Sequence, residues 1–137
     1  MNAILVAAGS AVGGVARWQL GGALQRRLDD WAPRVGALPF PIGTLIVNVT
    51  GSLALGALAV VMAREGPGNV TVRLLLAVGF CGGYTTFSTF SYDTVALLEG
   101  GAPSLAALNV VASLALAFLG TFAGMLIMRA ILGRAGA

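Results

Sequence analysis

Residues 79–91, Gly-Phe-Cys-Gly-Gly-Tyr-Thr-Thr-Phe-Ser-Thr-Phe-Ser, put five hydroxyl groups and two phenyl rings into seven positions shortly after a glycine pair. Thr85, Ser88 and Ser91 recur every three residues, Thr86 and Thr89 lie beside them, and Phe87 and Phe90 form an i, i+3 pair on one helical face. Donors at this density suit the chemistry of a polar path, in which hydroxyls replace water around a passing solute. A lone Ser or Thr usually bonds its own helix backbone, so it is the density that argues for a path. Two further polar lines accompany it. Thr44, Asn48 and Ser52 repeat at i, i+4, i+8, and Asn109 and Ser113 stack one turn apart, with Thr121 continuing that line past Ala117. Taken singly, each line serves equally well as glue between helices. Three lines together favour a conduit.

Bond-making chemistry has no candidates. The chain has no His and a single cysteine, Cys81, set in an apolar run where it reads as a packing residue. No nucleophile stands beside a base, no acids and thiols share metal-ligand spacing, and no phosphate-binding loop precedes a soluble helix. No enzyme is expected. The sequons at Asn48 and Asn69 read as chance matches.

The elements that must carry these residues follow from composition. Of 137 residues, 58% are hydrophobic and 9% charged, with 20 glycines, and the mean hydropathy is +0.92. A water-soluble domain carries about 25% charged residues, so lipid must be the main solvent. Uncharged stretches at 1–16, 35–63, 74–92 and 100–128 approach or exceed the roughly 20 residues that cross about 30 Å of hydrocarbon. They predict an all-α membrane protein, one domain over 1–137, with four transmembrane helices near 2–24, 42–63, 73–99 and 103–129. Polar connections are expected at 25–41, 64–71 and 100–102. The third helix is expected to break in mid-membrane, because Gly82-Gly83 followed by Thr85-Thr86 is a poor helix sequence. The competing reading of the glycine pair is close approach of a neighbouring helix. Gly9-xxx-Gly13 and Gly120-xxx-Gly124 are read as packing motifs alone.

Charge placement adds orientation. Arg64, Arg73, Arg129 and Arg134 fall on the side of the N-terminus, Arg26, Arg27 and Arg34 on the other, and Arg17 lies inside the first span. Four against three is almost no bias, so the chain is expected to insert both ways and pair with its own inverted copy. The pI of 10.0 does not mark a nucleic-acid binder, since the arginines are spread over short loops with no aromatic residues between them. Arg17 is read either as snorkelling to the interface beside Trp18 or as an electropositive mouth. Asp93 is read as an arginine partner, a residue of the opening, or a marker of the water boundary. No acid lies deep in a span, which disfavours a cation or proton antiporter.

The motifs Gly13-Gly14-Val-Ala-Arg17-Trp18, Gly43-Thr-Leu-Ile-Val-Asn48-Val-Thr-Gly51 and Gly82-Gly-Tyr-Thr-Thr-Phe87-Ser-Thr-Phe90-Ser91 together resemble the small dual-topology fluoride channels called CrcB or Fluc. The resemblance covers all four spans, and its third motif is the specific one. It implies an antiparallel homodimer in the inner (plasma) membrane, with two pores through which cytoplasmic fluoride leaves passively. It makes Phe87 and Phe90 the pore phenyl groups and Asn48 a pore polar group. Thr44, Ser88, Thr89 and Ser113 line the polar track, and Arg17 stands near an entrance. The backbone carbonyls of Gly82 and Thr85, two from each subunit, are implied to hold a structural sodium ion at the dimer centre. The chain departs from the family pattern at Asn109, where an aromatic or imidazole side chain is more usual, at Ala117, where some members carry a hydroxyl, and at Asp93, which replaces a more common Glu.

Phenyl edges carry the positive part of the ring quadrupole, so with hydroxyl and amide donors they can replace part of the shell of a small anion. The rival reading is a small dual-topology multidrug-type antiporter, which would need an acid embedded in the first span. A third is a non-transporting assembly partner whose polar lines only pack.

Overall fold

The structure, a computed structural model, describes residues 1–36, 38–65 and 69–134. Helix α1 spans Asn2–Leu28 and ends with Arg26 and Arg27 in its last turn, where cations meet the free carbonyl end of the helix dipole. Helix α2 spans Ile42–Glu65. The third span starts at Asn69, whose side-chain oxygen accepts the Val72 N–H at 3.2 Å and caps the first turn. From there a continuous stretch over 70–84, here called α3, runs through Val70–Val72, a wide π-helical section at Arg73–Cys81, and Gly82–Tyr84. Helix α4 spans Phe87–Glu99 and α5 spans Pro103–Arg134. Among the described residues, four spans are long and apolar enough to cross a membrane: Asn2–Leu28, Ile42–Arg64, Val70–Glu99 and Pro103–Gly133. This is an all-α, multi-pass membrane fold. The first two spans run longer than the hydropathy pattern predicts, because Arg26, Arg27 and Arg64 lie in their last helical turns.

The connections have simple causes. At the α4–α5 corner Gly101 takes a φ of +77°, a conformation that suits glycine. The N–H of Gly101 then reaches the Leu98 carbonyl at 3.1 Å and that of Ala102 reaches Leu97 at 2.8 Å. Pro103 follows at the first helical position, where its missing N–H costs nothing. Between α1 and α2 the expected polar connection contains two short antiparallel strands, β1 (Arg34–Val35) and β2 (Leu38–Pro39).

Small residues bring backbones into contact. Gly9 and Gly13 are buried on α1 and face α3, where a Cβ on Gly83 would stand 2.6 Å from the Ser10 carbonyl oxygen. On the other side α2 packs on α5 through Gly56, Gly120 and Gly124, each set against backbone of the facing helix. A buried cluster of Ala32, Phe40, Leu97, Ala102, Leu105 and Ala106 closes one end, folding the α1–α2 connection onto the α4–α5 corner. Large apolar side chains such as Val111, Phe118, Leu119 and Phe122 point outward from α5, as a lipid-facing or partner-facing surface does.

Candidate functional site

The helix break falls at Thr85 (φ −83°, ψ 158°) and Thr86 (φ −151°, ψ 118°), both extended. Within the expected weak stretch over 82–86, Gly82 and Gly83 stay helical. Gly83 serves the close contact with α1, whereas a Cβ on Gly82 would meet nothing within 4 Å. Thr85 keeps its N–H on the Cys81 carbonyl at 2.9 Å, and the helix opens at Thr86, whose backbone groups find partners outside it. The Thr86 N–H donates to Asn48 Oδ1 at 2.8 Å, and Asn48 Nδ2 donates to the Thr86 carbonyl at 3.0 Å. A side-chain amide thus satisfies both backbone groups of the break, which lipid could not do. The Thr86 hydroxyl accepts the Thr89 N–H at 3.1 Å, capping α4. It donates to Thr89 Oγ1 at 3.0 Å and lies 3.1 Å from Ser88 Oγ.

Two cavities meet at this break. The larger, about 840 Å³, is bounded by α1, α2 and α4 and lined by Arg17, Arg26, Thr44, Thr86, Thr89 and Asp93, among others. The smaller, about 240 Å³, is lined by Asn48, Ser52, Thr86, Phe87, Phe90 and Ser113, with Leu55 and Leu114 among its apolar walls. Thr86 borders both. The predicted line Thr44, Asn48, Ser52 therefore runs from one cavity to the other along α2.

The Phe87 and Phe90 rings lie 5.4 Å apart between centroids and tilt by 46°, with Phe87 turned outward from the subunit. Arg17 is half-buried, and its Nη1 donates to the Thr85 carbonyl at 3.5 Å. Among the described residues no arginine pairs with Asp93; its Oδ2 accepts the Thr44 hydroxyl at 2.8 Å inside the larger cavity. Asn109, 1% exposed, joins Ser113 at 3.4 Å and Thr94 at 2.9 Å. The hydroxyl-rich run divides. Ser88 and Thr89 cluster on Thr86, while Thr85 and Ser91 donate back to Cys81 and Phe87 of their own helices. Thr121 likewise returns to Ala117. Cys81 is buried and unpaired.

Several positioning groups have no distinctive sequence signal. Gln25 accepts the Gly43 N–H at 2.9 Å and donates to Phe40 and Asp29, pinning the end of α1 to the start of α2 beside the larger cavity. The Ser10 hydroxyl donates to the Gly79 carbonyl at 3.3 Å, and the Thr50 and Tyr84 hydroxyls meet at 3.0 Å. A Gln near a helix end or a Ser between small residues is too common to point to such a partner. Thr86 alone carried a cue, as the last hydroxyl before a phenyl-rich half-helix.

Residues 4–125 match the family described as CrcB-like protein, Camphor Resistance (CrcB). Relatives named fluoride-specific ion channel FluC align over most of the chain. The one from Rhizobium johnstonii is 41% identical over 131 residues, covering 96% of this chain and 98% of the relative. That from Coxiella burnetii is 44% identical over 130 residues, covering 94% and 98%, and that from Rhodopseudomonas palustris is 45% identical over 112 residues, covering 82% and 90%. With a match over nearly its whole length and relatives this similar, the chain belongs to the CrcB family.

Proposed function

We propose that this protein is a fluoride-selective channel of the inner membrane through which cytoplasmic fluoride leaves passively, working as an antiparallel homodimer with two pores. The observation that carries the reading is the meeting of Asn48, Phe87, Phe90 and Ser113 around one cavity directly beside the helix break. Fluoride gives up water only where dense donors replace it. Asn48 Nδ2 spends one hydrogen on the Thr86 carbonyl and keeps a second for an ion in the cavity. The edges of the Phe87 and Phe90 rings offer weak positive potential without a fixed charge that would trap the ion. Ser88, Thr89 and Ser113 extend the donor track, Thr44 lies on it with its hydrogen given to Asp93 Oδ2, and Arg17, with Arg26 on the same cavity, raises anion concentration at the mouth. The balanced arginine distribution and the outward-facing Phe87 both suit a second, inverted copy.

A structural sodium ion at the dimer centre fits the residues present. Asn48 takes the Thr86 N–H that would otherwise close a helical bond to the Gly82 carbonyl, and the space beside Gly82 is open. Gly82 and Thr85 would hold the ion through carbonyl oxygens, the donors a hard cation prefers. When bound, it would offset the partial negative charge of the Gly82 carbonyl and take the second lone pair of the Thr85 carbonyl, whose other donor is Arg17. The multidrug-type antiporter reading is not favoured, since α1 contains no acid.

The test is fluoride and chloride efflux from liposomes holding the purified protein. Fast fluoride loss with little chloride loss is expected, and equal loss of the two would refute the reading.

A further inference from the structure

The Phe90 carbonyl can only accept a hydrogen bond, and Thr94 Oγ1 donates to it at 2.8 Å. That bond spends the single hydroxyl hydrogen of Thr94, so towards Asn109 the Thr94 oxygen can only accept. Asn109 must therefore present Nδ2 to Thr94, at 2.9 Å, and Oδ1 to Ser113, at 3.4 Å. An amide oxygen also only accepts. The direction of every bond in the chain Ser113, Asn109, Thr94, Phe90 is thus fixed from its carbonyl end, and the one hydrogen of Ser113 points at Asn109. Yet Ser113 also lines the smaller cavity with Asn48, Phe87 and Phe90. With its hydrogen turned to Asn109, it shows that cavity oxygen lone pairs, the wrong polarity for an anion.

We infer that Asn109 is a positioning residue that competes with the permeating anion for the Ser113 hydrogen and so limits how tightly the pore holds fluoride. The inference rests on the proposed fluoride pathway. An entering ion must draw the Ser113 hydroxyl away from Asn109, and at 3.4 Å that bond is long enough to yield. Each ion pulls the hydroxyl round on arrival, and Asn109 takes it back on departure. Binding is thereby weakened at a site where an ion held too firmly would stop conduction. Asn109 itself is 1% exposed and is not among the residues lining the cavity, so it acts only through Ser113.

The test compares half-saturating fluoride concentration and maximal efflux for three variants in liposomes. Asn109→Val removes the competitor. Thr94→Val keeps the shape of its site but frees the amide to turn and donate to Ser113, which releases the same hydrogen; it also serves if Asn109→Val folds poorly. Both are expected to lower the half-saturating concentration by about twofold, the low end of what one hydrogen bond is worth, as suits a bond of 3.4 Å. In a Ser113→Ala background neither should shift it. A half-saturating concentration that is unchanged or raised in both variants, or that falls equally without Ser113, would overturn the inference while leaving the pathway intact. Absence of fluoride efflux from the unmodified protein would instead overturn the pathway, and this inference with it.

Discussion

Asn48 and Thr86 pair as neighbouring strands do, with one N–H and one C=O exchanged in each direction, 2.8 Å and 3.0 Å apart. One partner is the main chain of a single residue and the other a side-chain amide that supplies the matching donor and acceptor. This exchange lets α3 and α4 part inside the membrane, and it fixes Asn48 beside the phenyl rings. Fold and proposed function meet in one side chain.

Asn48→Leu should therefore damage both. It strands two backbone groups, at about 1–3 kcal/mol each, a large share of a typical domain's stability of about 5–15 kcal/mol. Asn48→Asp keeps an acceptor for the Thr86 N–H but offers the Thr86 carbonyl no donor. Thermal unfolding in detergent should rank wild type above Asp and Asp above Leu, with fluoride efflux lost in both variants. A Leu variant as stable as wild type would show that the exchange does not hold the break.

The glycine pair makes a sharper structural test. On Gly83 a methyl group would meet Ser10 backbone at 2.6–2.8 Å, while on Gly82 it would meet nothing. Gly83→Ala must push α1 from α3, at the roughly 1–3 kcal/mol typical of overpacking, and should lower the unfolding midpoint and the yield of folded protein. Gly82→Ala should leave the subunit's folding unchanged. Equal losses in the two would contradict the contact geometry.

Hydropathy made the four spans legible, and the Thr-Thr-Phe-Ser-Thr-Phe-Ser run marked where the site would lie. The location of the break was not legible to the residue. Propensity singles out glycines, but a helix in lipid breaks where the freed backbone has a partner, and Asn48 waits opposite Thr86 rather than Gly82. The roles of Asp93 and Arg17 were hidden for a similar reason. Each meets a polar group far away in sequence, Thr44 and the Thr85 carbonyl, and only packing decides such pairs. The hydroxyl run looked uniform in sequence, yet Ser91 and Thr85 turn back onto their own helices while Ser88 gathers on Thr86.

Dual insertion is open to a labelling test. Cys81 is the only cysteine and is buried, so Cys81→Ala gives a clean background for Thr71→Cys, an exposed site in the first turn of α3. In sealed cells an impermeant thiol reagent should label roughly half of the chains, as four arginines against three imply. Uniform labelling or uniform protection would rule out mixed orientation.

The proposed sodium site predicts an ion dependence without transport. Dimer stability and fluoride efflux should both fall when sodium is replaced throughout by a large organic cation, and both should recover when it is restored. Tracer sodium should not cross the membrane with fluoride. Unchanged dimer stability and flux in the absence of sodium would remove the ion from the account.

The rings provide the most direct test of selectivity. Phe87 and Phe90 sit in the first turn of α4, placed by the Thr86 cap and by the Asn48 exchange just before it. Their centroids are 5.4 Å apart, their planes are tilted by 46°, and both rings line the smaller cavity; the phenyl assignment requires that an ion there meet ring edge. Ile keeps bulk and apolarity but has no quadrupole. If the rings only pack, Phe87→Ile or Phe90→Ile should cost about 1.5 kcal/mol or less, and Phe87, which points out of the subunit, should cost least within it. If they meet the ion, either change should cut fluoride efflux by orders of magnitude while gel filtration still shows the dimer. Wild-type flux in both variants would leave the hydroxyls and Asn48 as the only groups able to replace fluoride's water, and the phenyl assignment would fall.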